Sequence, residues 1–290
     1  MRKSKKLFKI IAFVVLGIVL LLYLLLPFGM GIVTSFRQTA EAPAAPEGFE
    51  SVQLTASDGV ALSAWWAPSQ NGAAILLVHG SNGSLDSLRG YADMLESHGY
   101  GVLALCLRGH GSSGGGGNAL GWECGLDVAA AVDYLDVNGV NAIGALGLSL
   151  GGEVLLSACG DLPQLKAVAA DGATHHTLDD YLTLPLNQSI IRNWTTRVMY
   201  FSAGIFTGQQ PPKTTILDSV KNAKDARFLF IAAQKVSDEV AFDSMYHQNT
   251  ESRSELWIVP GAGHTQAFSL VPDEYEERVT AFFDGALGVN

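Results

Sequence analysis

The sequence predicts an α/β domain built on a doubly wound, mainly parallel sheet. Apolar runs typical of buried strands alternate with segments of helical spacing over much of residues 49–290. Parallel strands need a crossover between them, usually a helix, and this alternation supplies it. Hydrophobic residues make up 48% of the 290 residues and charged residues only 16%, so a large core can form and extensive disorder is excluded.

The individual elements follow from the same periodicity. Ser57-Asp58-Gly59 joins two strand-like runs as a hairpin would, and the first fully apolar run is typical of a strand buried on both faces. The predicted strands are Phe49–Ala56, Val60–Trp66, Ala73–Val78, Tyr100–Leu107, Val140–Leu146, Leu165–Asp171, Arg227–Ala232 and Leu256–Val259. The predicted helices are Ser84–His98, about Ala119–Asp136, Leu150–Cys159 and Pro272–Asp284. Residues 172–226 break the alternation and are predicted to form a cap inserted over the sheet.

The amino terminus has the pattern of a membrane anchor. Five of the 18 basic residues lie within the first nine positions, and no charged residue occurs from Ile10 to Phe36. As a helix, Leu7–Leu26 would be about 30 Å long, which matches the hydrocarbon core of a bilayer. This run exceeds the roughly 7–15 apolar residues of a cleavable signal peptide. Residues 1–38 are therefore predicted to be a basic tip and transmembrane anchor, and residues 39–48 a Pro/Ala-rich linker.

The charge bias predicts the orientation of this anchor in a cell membrane. Basic residues flanking a single span stay in the cytoplasm, so the domain at residues 49–290 is expected on the other side. The small-residue pattern Ala40-Glu41-Ala42 leaves cleavage as an alternative, although it lies well beyond the apolar run.

Charge and cysteine content exclude other classes of protein. A net charge of −10 argues against nucleic acid as a partner, since phosphates need a basic face. The three cysteines, Cys106, Cys124 and Cys159, are too few for a disulfide framework and lack the spacing of zinc ligands. They are predicted to be small buried residues.

The strongest local motif is Gly147-Leu148-Ser149-Leu150-Gly151. It lies between a predicted strand and a predicted helix, which is the context of a G-x-S-x-G nucleophile elbow. Glycines on both sides allow the sharp turn that projects a serine hydroxyl above the sheet. The alternative is a serine that caps the following helix.

The order of residues along the chain favours the nucleophile. On this scaffold the serine is followed by an acid and then by a histidine, and His264 lies in a loop between the last strand and the last helix. Ser149 is thus expected as nucleophile and His264 as general base. The acid should follow strand Arg227–Ala232, where Asp238 is favoured over Glu239 because a shorter side chain at the loop tip commonly orients the imidazole. Three other aspartates stay open as candidates: Asp218, Asp225 and Asp243.

Donors for an oxyanion are expected at the end of an earlier strand. Val78-His79-Gly80-Ser81-Asn82 ends that strand and leads toward a helix, so one backbone N–H can join the amide that follows the nucleophile. The backbone amides of Ser81 and Leu150 are assigned, with Asn82 as the alternate to Ser81.

Over roughly Phe49–Asp284 the chain resembles the α/β-hydrolase superfamily. The resemblance rests on His79-Gly80, Arg108-Gly109-His110-Gly111, Gly147–Gly151 and Gly261-Ala262-Gly263-His264, together with Tyr275 and Phe282-Phe283. The chain is most similar to bacterial members of the serine-aminopeptidase-like, lysophospholipase-like and dienelactone-hydrolase-like branch. This implies an α/β-hydrolase fold and serine chemistry without a cofactor. The family often has a Gly-x-x-Asp turn at the acid, whereas Ala233–Asp238 is longer and lacks the glycine, which leaves the acid open.

Two other sites are conceivable on local patterns. Gly109–Gly114 matches G-x-G-x-x-G, but it runs into more glycines instead of opening a helix, so a dinucleotide site is not expected. His175-His176 with Asp179-Asp180 could hold a metal, but a polar loop is favoured and no metal is predicted.

The leading hypothesis is a membrane-anchored serine hydrolase. It would cleave carboxylic or thiol esters of small or lipid-like molecules through an acyl-enzyme. The aromatic and aliphatic residues of the cap, such as Trp194 and Phe201, could line an acyl or aryl pocket. A serine at position 149 does not fit dehalogenase or epoxide-hydrolase chemistry, which uses a carboxylate there. The alternatives are a serine peptidase and a non-catalytic binding protein of the same fold.

Overall fold

The computed structural model describes residues 2–118, 120–184 and 189–289. Eight strands form one sheet: β2 (Glu50–Thr55), β3 (Ala61–Ala67), β4 (Ala73–Val78), β5 (Gly101–Leu105), β7 (Ala142–Leu148), β8 (Leu165–Asp171), β9 (Arg227–Ala233) and β10 (Ser254–Val259). Their order in the sheet is β10-β9-β8-β7-β4-β5-β3-β2, in which β3 is antiparallel to both neighbours and the other pairs are parallel. The predicted doubly wound, mainly parallel sheet is confirmed. Strands β1 (Gln38–Thr39) and β6 (His110–Gly111) pair separately in parallel.

Helices cover both faces of the sheet and bury its apolar residues. The helices after the amino-terminal segment are α3 (Leu85–Ser97), α4 (Gly125–Val137), α5 (Leu150–Ala158), α6 (Leu178–Thr183), α7 (Ile190–Thr207), α8 (Ile216–Asn222), α9 (Ser237–Gln248), α10 (Ala267–Leu270) and α11 (Pro272–Leu287). Helices α4, α5, α8 and α9 share one core cluster, and α3 and α11 share the other. The central strand β4 is buried on both faces, as its continuous apolar run predicts.

The main departures from the predicted elements flank the sheet. Helix α4 begins at Gly125, later than predicted, and Ala119 lies outside the described residues. Helix α9 replaces what the sequence indicated as a loop after β9. Residues 172–226 contain α6, α7 and α8, of which α7 is the long amphipathic helix of the cap. All three cysteines are free and buried, as predicted.

The amino-terminal segment forms a helix that runs through α1 (Arg2–Leu20), a π-helical stretch at Leu21–Leu25 and α2 (Leu26–Thr34). Its portion Lys5–Thr34 has a mean hydropathy of 3.0 in its most apolar window and is long enough to cross a bilayer. An anchor and a signal sequence would both have these properties. This segment is called the amino-terminal helix below.

The segment after this helix is bonded to the domain. Beyond the pairing of β1 with β6, the backbone N–H of Ala40 donates to the carbonyl of Gly111, and the guanidinium of Arg89 donates to the carbonyl of Ala44. The start of the predicted linker is therefore part of the domain surface. The carboxyl end of the amino-terminal helix is held near the edge of the sheet at which the parallel strands end.

Candidate active site

Ser149 occupies a strained turn between β7 and α5. Its backbone has φ 52° and ψ −118°, a conformation that costs a non-glycine residue about 1–3 kcal/mol. The flanking glycines make the turn possible, because a Cβ on Gly151 would lie 2.4 Å from the carbonyl oxygen of Val78. A Cβ on Gly147 would lie 2.4 Å from the amide nitrogen of Gly152. The turn thus has the geometry expected of a nucleophile elbow.

His264 lies directly above this serine. Its Nε2 is 2.8 Å from Ser149 Oγ and accepts the hydroxyl proton in the neutral tautomer. The loop after β10 carries His264 and the loop after β7 carries Ser149, so the parallel sheet brings the two residues to the same edge. The structure therefore brings together the two residues that the sequence assigned as nucleophile and base.

The acidic partner of His264 is Glu239, and the prediction of Asp238 for this position is wrong. Nδ1–H of His264 donates to Glu239 Oε1 at 2.6 Å, while the backbone N–H of Ala233 donates to Glu239 Oε2 at 2.8 Å. Glu239 is fully buried, whereas Asp238 points outward and pairs with Arg192. Helix α9 begins at Ser237, so successive residues in its first turn point in directions about 100° apart. Of the two carboxylates Asp238 and Glu239, only Glu239 then faces the sheet.

Hydrogen bonding to Glu239 raises the pKa of the His264 imidazole above its ordinary value, against the opposing effect of burial. Three further carboxyls lie nearby, but none of them accepts a hydrogen bond from His264. Burial raises the pKa of Asp171 and of Glu153 to about 7, and that of Asp243 well above its usual range. The hydrogen bond to Glu239 is the largest cause of the raised pKa of His264, and the charges of Glu153 and Asp171 act in the same direction with smaller effect.

The loop after β4 faces the serine hydroxyl. A Cβ on Gly80 would lie 3.3 Å from the Cβ of Ser149, and Ser81 and Leu150 line the same cavity as Ser149. Asn82, the alternate to Ser81, also lines this cavity. The amides predicted to bind an oxyanion therefore come from the two loops that meet at the nucleophile.

Two histidines that the sequence left without a role hold this loop. His79 is buried, which lowers its pKa to about 4 and keeps it neutral. Its Nδ1–H donates to the carbonyl of Gly80, and its Nε2 accepts from the backbone N–H of Leu107. His110 Nε2 donates to the carbonyl of Ser81 at 2.8 Å. Each of these histidines is next to a glycine in a motif that follows a strand. That pattern is the sequence signal that could have indicated that they hold the loop.

The cavity above Ser149 has a volume of about 530 Å³. This size is within the range of small-molecule sites, roughly 300–1,000 Å³. Val33 and Thr34 of the amino-terminal helix and Met199 and Tyr200 of α7 form part of its wall. The cap thus contributes to the site, and so does a segment that the sequence indicated only as an anchor.

The remaining candidates are the histidines and aspartates near the start of the cap that the sequence raised as possible metal ligands. His175 lines the cavity and stacks on Phe242, with ring centroids 5.4 Å apart. Asp180 caps α6 by accepting from the backbone N–H and hydroxyl of Thr177. Asp179 is exposed. Among residues 2–118, 120–184 and 189–289, no group of three or more His, Cys, Asp or Glu side chains could hold a metal ion.

Comparison with known proteins identifies the family of this chain. Residues 69–259 match the family model of serine aminopeptidase, S33, a span that contains Ser149 and Glu239. The chain belongs to the serine aminopeptidase S33 family. A relative in this comparison is the uncharacterized protein YfhR of Escherichia coli O157:H7, which is 30% identical over 257 residues and covers 83% of each chain. This S33 family member is therefore a hydrolase of the α/β-hydrolase superfamily, as the sequence motifs indicated.

Solved structures show the same fold. The esterase Pf2001 of Pyrococcus furiosus is 22% identical with a TM-score of 0.67, over 87% of this chain and 98% of the esterase. The α/β-hydrolase GrgF of Penicillium sp. sh18 is 19% identical with a TM-score of 0.63, over 84% of this chain and all (100%) of GrgF. At these identities the likeness establishes the α/β-hydrolase fold for this S33 family member.

The close approach at the elbow makes Gly151 intolerant of a side chain. Gly151→Ala would place a Cβ against the backbone carbonyls of both Val78 and His79, and neither can yield without moving β4. We expect a loss of stability of about 2 kcal/mol and the loss of most hydrolase activity. Gly116→Ala is the matched control, because its Cβ would meet nothing within 4 Å. Thermal unfolding and ester hydrolysis measure both variants, and equal behaviour would contradict this account of the elbow.

Proposed function

We propose that this protein is a serine hydrolase that cleaves carboxylic or thiol esters through an acyl-enzyme on Ser149. The observation that carries the proposal is the unbroken hydrogen-bond chain from Ser149 Oγ through His264 to Glu239. A serine hydroxyl is a weak nucleophile unless a base removes its proton, and the base works only if its orientation and charge are supported. His264 is positioned to act as the base, and Glu239 is positioned to orient it and to support its charge.

The reaction follows from the positions of these atoms. Ser149 Oγ attacks the ester carbonyl as His264 Nε2 takes its proton, and Glu239 stabilises the imidazolium that forms. The amides of Ser81 and Leu150 donate to the oxyanion of the tetrahedral intermediate. His264 then gives its proton to the leaving alcohol or thiol. Water, deprotonated by the same imidazole, attacks the acyl-enzyme and releases the carboxylic acid.

A serine aminopeptidase is the second candidate, and Glu153 is the observation that favours it. Glu153 lines the cavity beside Ser149 and accepts from the N–H and hydroxyl of Thr174. A carboxyl in this position could receive the amino group of a peptide's first residue. Aminoacyl-p-nitroanilides compared with p-nitrophenyl esters separate the two candidates.

We also propose that the amino-terminal helix anchors the protein in a cell membrane, with its basic end in the cytoplasm and the hydrolase domain on the other side. Five basic residues lie within the first nine positions, whereas Arg37 is the one Lys or Arg between Ile10 and Arg89. This bias is the main determinant of the orientation of a single span.

Replacing the nucleophile tests the proposed activity. Ser149→Ala should abolish ester turnover apart from the residual acceleration of about 10³–10⁴ over water that binding and the oxyanion donors supply. A fluorophosphonate probe should label the wild type and not the variant, because only an activated serine reacts. Unchanged circular dichroism controls for the fold. An unlabelled wild type would indicate a binding protein, and ester hydrolysis by the variant at the wild-type rate would remove Ser149 from the mechanism.

Adjacent carboxylates provide a matched test of the acid. Glu239→Gln should lower kcat by a factor on the order of 10⁴, whereas Asp238→Asn should have little effect, because an exposed ion pair with Arg192 contributes about 0–1 kcal/mol. Since Glu239 raises the pKa of His264, its replacement should also move the acid limb of the kcat/KM profile to lower pH. A larger effect of Asp238→Asn, or an acid limb unmoved in Glu239→Gln, would assign the acid elsewhere.

Protease accessibility tests the orientation. The domain should be digested when protease is added to intact spheroplasts, since the positive-inside rule places it outside the cytoplasm. A cytoplasmic marker protein that survives the treatment is the control. Protection of the domain until the membrane is permeabilised would reverse the orientation, and release of a smaller protein into the medium would show that the helix is a cleaved signal.

A further inference from the structure

The amino-terminal helix and α7 of the cap are parallel neighbours. Trp194 Nε1 donates to the carbonyl of Tyr23 at 2.8 Å, where the π-helical stretch interrupts the regular helix. Further along, a Cβ on Gly31 would lie 2.1 Å from the carbonyl of Met199, so the two backbones nearly touch. Beyond that, Phe36 meets Phe206 edge to face with ring centroids 5.2 Å apart. These contacts occur in the same order along both helices.

The contact at Trp194 fixes the level of α7 relative to the proposed membrane span. Leu7–Leu26 matches the thickness of the hydrocarbon core, and Tyr23 lies three residues before its outer end, or about 4–5 Å along the axis. Trp194 is therefore at the depth that tryptophan prefers, where its ring contacts acyl chains and its N–H finds a polar partner. Because α7 runs parallel to the amino-terminal helix, its first turn, which begins at Ile190, lies at least as deep in the proposed bilayer as Trp194.

The side of α7 that faces away from the domain carries a row of large apolar residues, which the exposed Arg197 interrupts between Trp194 and Phe201. Ile190, Trp194, Phe201 and Ile205 are spaced so that they lie on one face of the helix, and their exposed fractions are 86%, 52%, 63% and 62%. Such a row of large apolar side chains in water is unfavourable and marks a surface that contacts another apolar phase. These four residues are called the apolar stripe below.

The helices that carry this surface also wall the catalytic cavity. Val33 and Thr34 of the amino-terminal helix and Met199 and Tyr200 of α7 line the space above Ser149. This pair of helices therefore places the cavity about 10–12 Å beyond the outer end of Leu7–Leu26, next to the membrane surface.

We propose that the part of the apolar stripe from Ile190 to Phe201 lies in the outer acyl and headgroup layers of the bilayer around the anchor, and that the site takes acyl esters resident in that membrane. This substrate class rests on the proposed serine-hydrolase function. The occupant of the apolar surface is thus lipid, because the stripe adjoins the helix that we propose as the membrane span. Burying each exposed Ile or Phe side chain in the bilayer contributes about 1.5–3 kcal/mol, which holds the cap at the membrane.

A measurement without turnover tests the membrane contact. The protein has five tryptophans, and Trp65, Trp66, Trp122 and Trp257 are at most 7% exposed, so bromine-labelled phosphatidylcholine can quench mainly Trp194. Full-length protein in such vesicles should lose part of its tryptophan fluorescence relative to unlabelled vesicles. Trp194→Phe should remove that quenchable part. Fluorescence that is equal in labelled and unlabelled vesicles would overturn the proposal whether or not the protein is an esterase.

Turnover in the same vesicles tests the substrate class. The wild type should hydrolyse both soluble p-nitrophenyl butyrate and p-nitrophenyl palmitate dissolved in the phosphatidylcholine bilayer. Ile190→Ser with Phe201→Ser should lower the ratio of the palmitate to the butyrate rate on the order of tenfold, since the stripe no longer holds the cap at the membrane. Val137→Ser is the matched control, because Val137 is 87% exposed at the end of α4 before β7, the opposite edge of the sheet.

The outcomes separate the two proposals. If neither ester is hydrolysed by the wild type, the serine-hydrolase function fails. If butyrate is hydrolysed while palmitate in the bilayer is not, or if the stripe variant keeps the wild-type ratio, the function stands and the membrane-resident substrate is contradicted.

Discussion

The close approach of the elbow to the end of β4 is the constraint on which the rest of the site depends. Gly151 packs against the carbonyl of Val78 with no room for a Cβ, and this contact holds Ser149 in its positive-φ conformation. The same contact fixes the loop after β4 beside the serine hydroxyl. Because the loop carrying His264 and the helix carrying Glu239 follow neighbouring parallel strands, the sheet register then determines the distances among Ser149, His264 and Glu239.

The strands and the elbow could be predicted because local sequence encodes them. Ala73–Val78 and Leu165–Asp171 were predicted to the residue. For Ala73–Val78 the signal is a continuously apolar run, which is typical of a strand buried on both faces of a parallel sheet. Ser149 and His264 follow from glycine-rich turns and from their order along the chain. Local sequence patterns could not decide which carboxylate bonds to His264. Asp238 and Glu239 are adjacent, and the choice depends on helix α9 beginning at Ser237, which neither periodicity nor the turn pattern indicated.

The contribution of the amino-terminal helix to the site was also outside the reach of sequence patterns. Hydropathy gives the length of an apolar helix and not its neighbours. The partner helix α7 lies more than 150 residues further along the chain, and the contact of Gly31 with Met199 leaves no periodic signal. Gln38 was likewise not indicated by any sequence pattern. Its side chain donates to the carbonyl of Ser81 and so joins the segment after the amino-terminal helix to the loop after β4. The amino-terminal helix is thus part of the wall of the candidate site.

The central claim is that Ser149 is acylated by substrate with His264 and Glu239 as its activating pair. Rapid quenching of the full-length enzyme in acid during turnover of p-nitrophenyl butyrate, followed by peptide mass analysis, tests it most directly. The account predicts a butyryl group on the peptide that contains Ser149, trapped in the wild type and absent from Ser149→Ala. A butyryl group on another residue, or turnover by the wild type with no acylated peptide at any quench time, would contradict it.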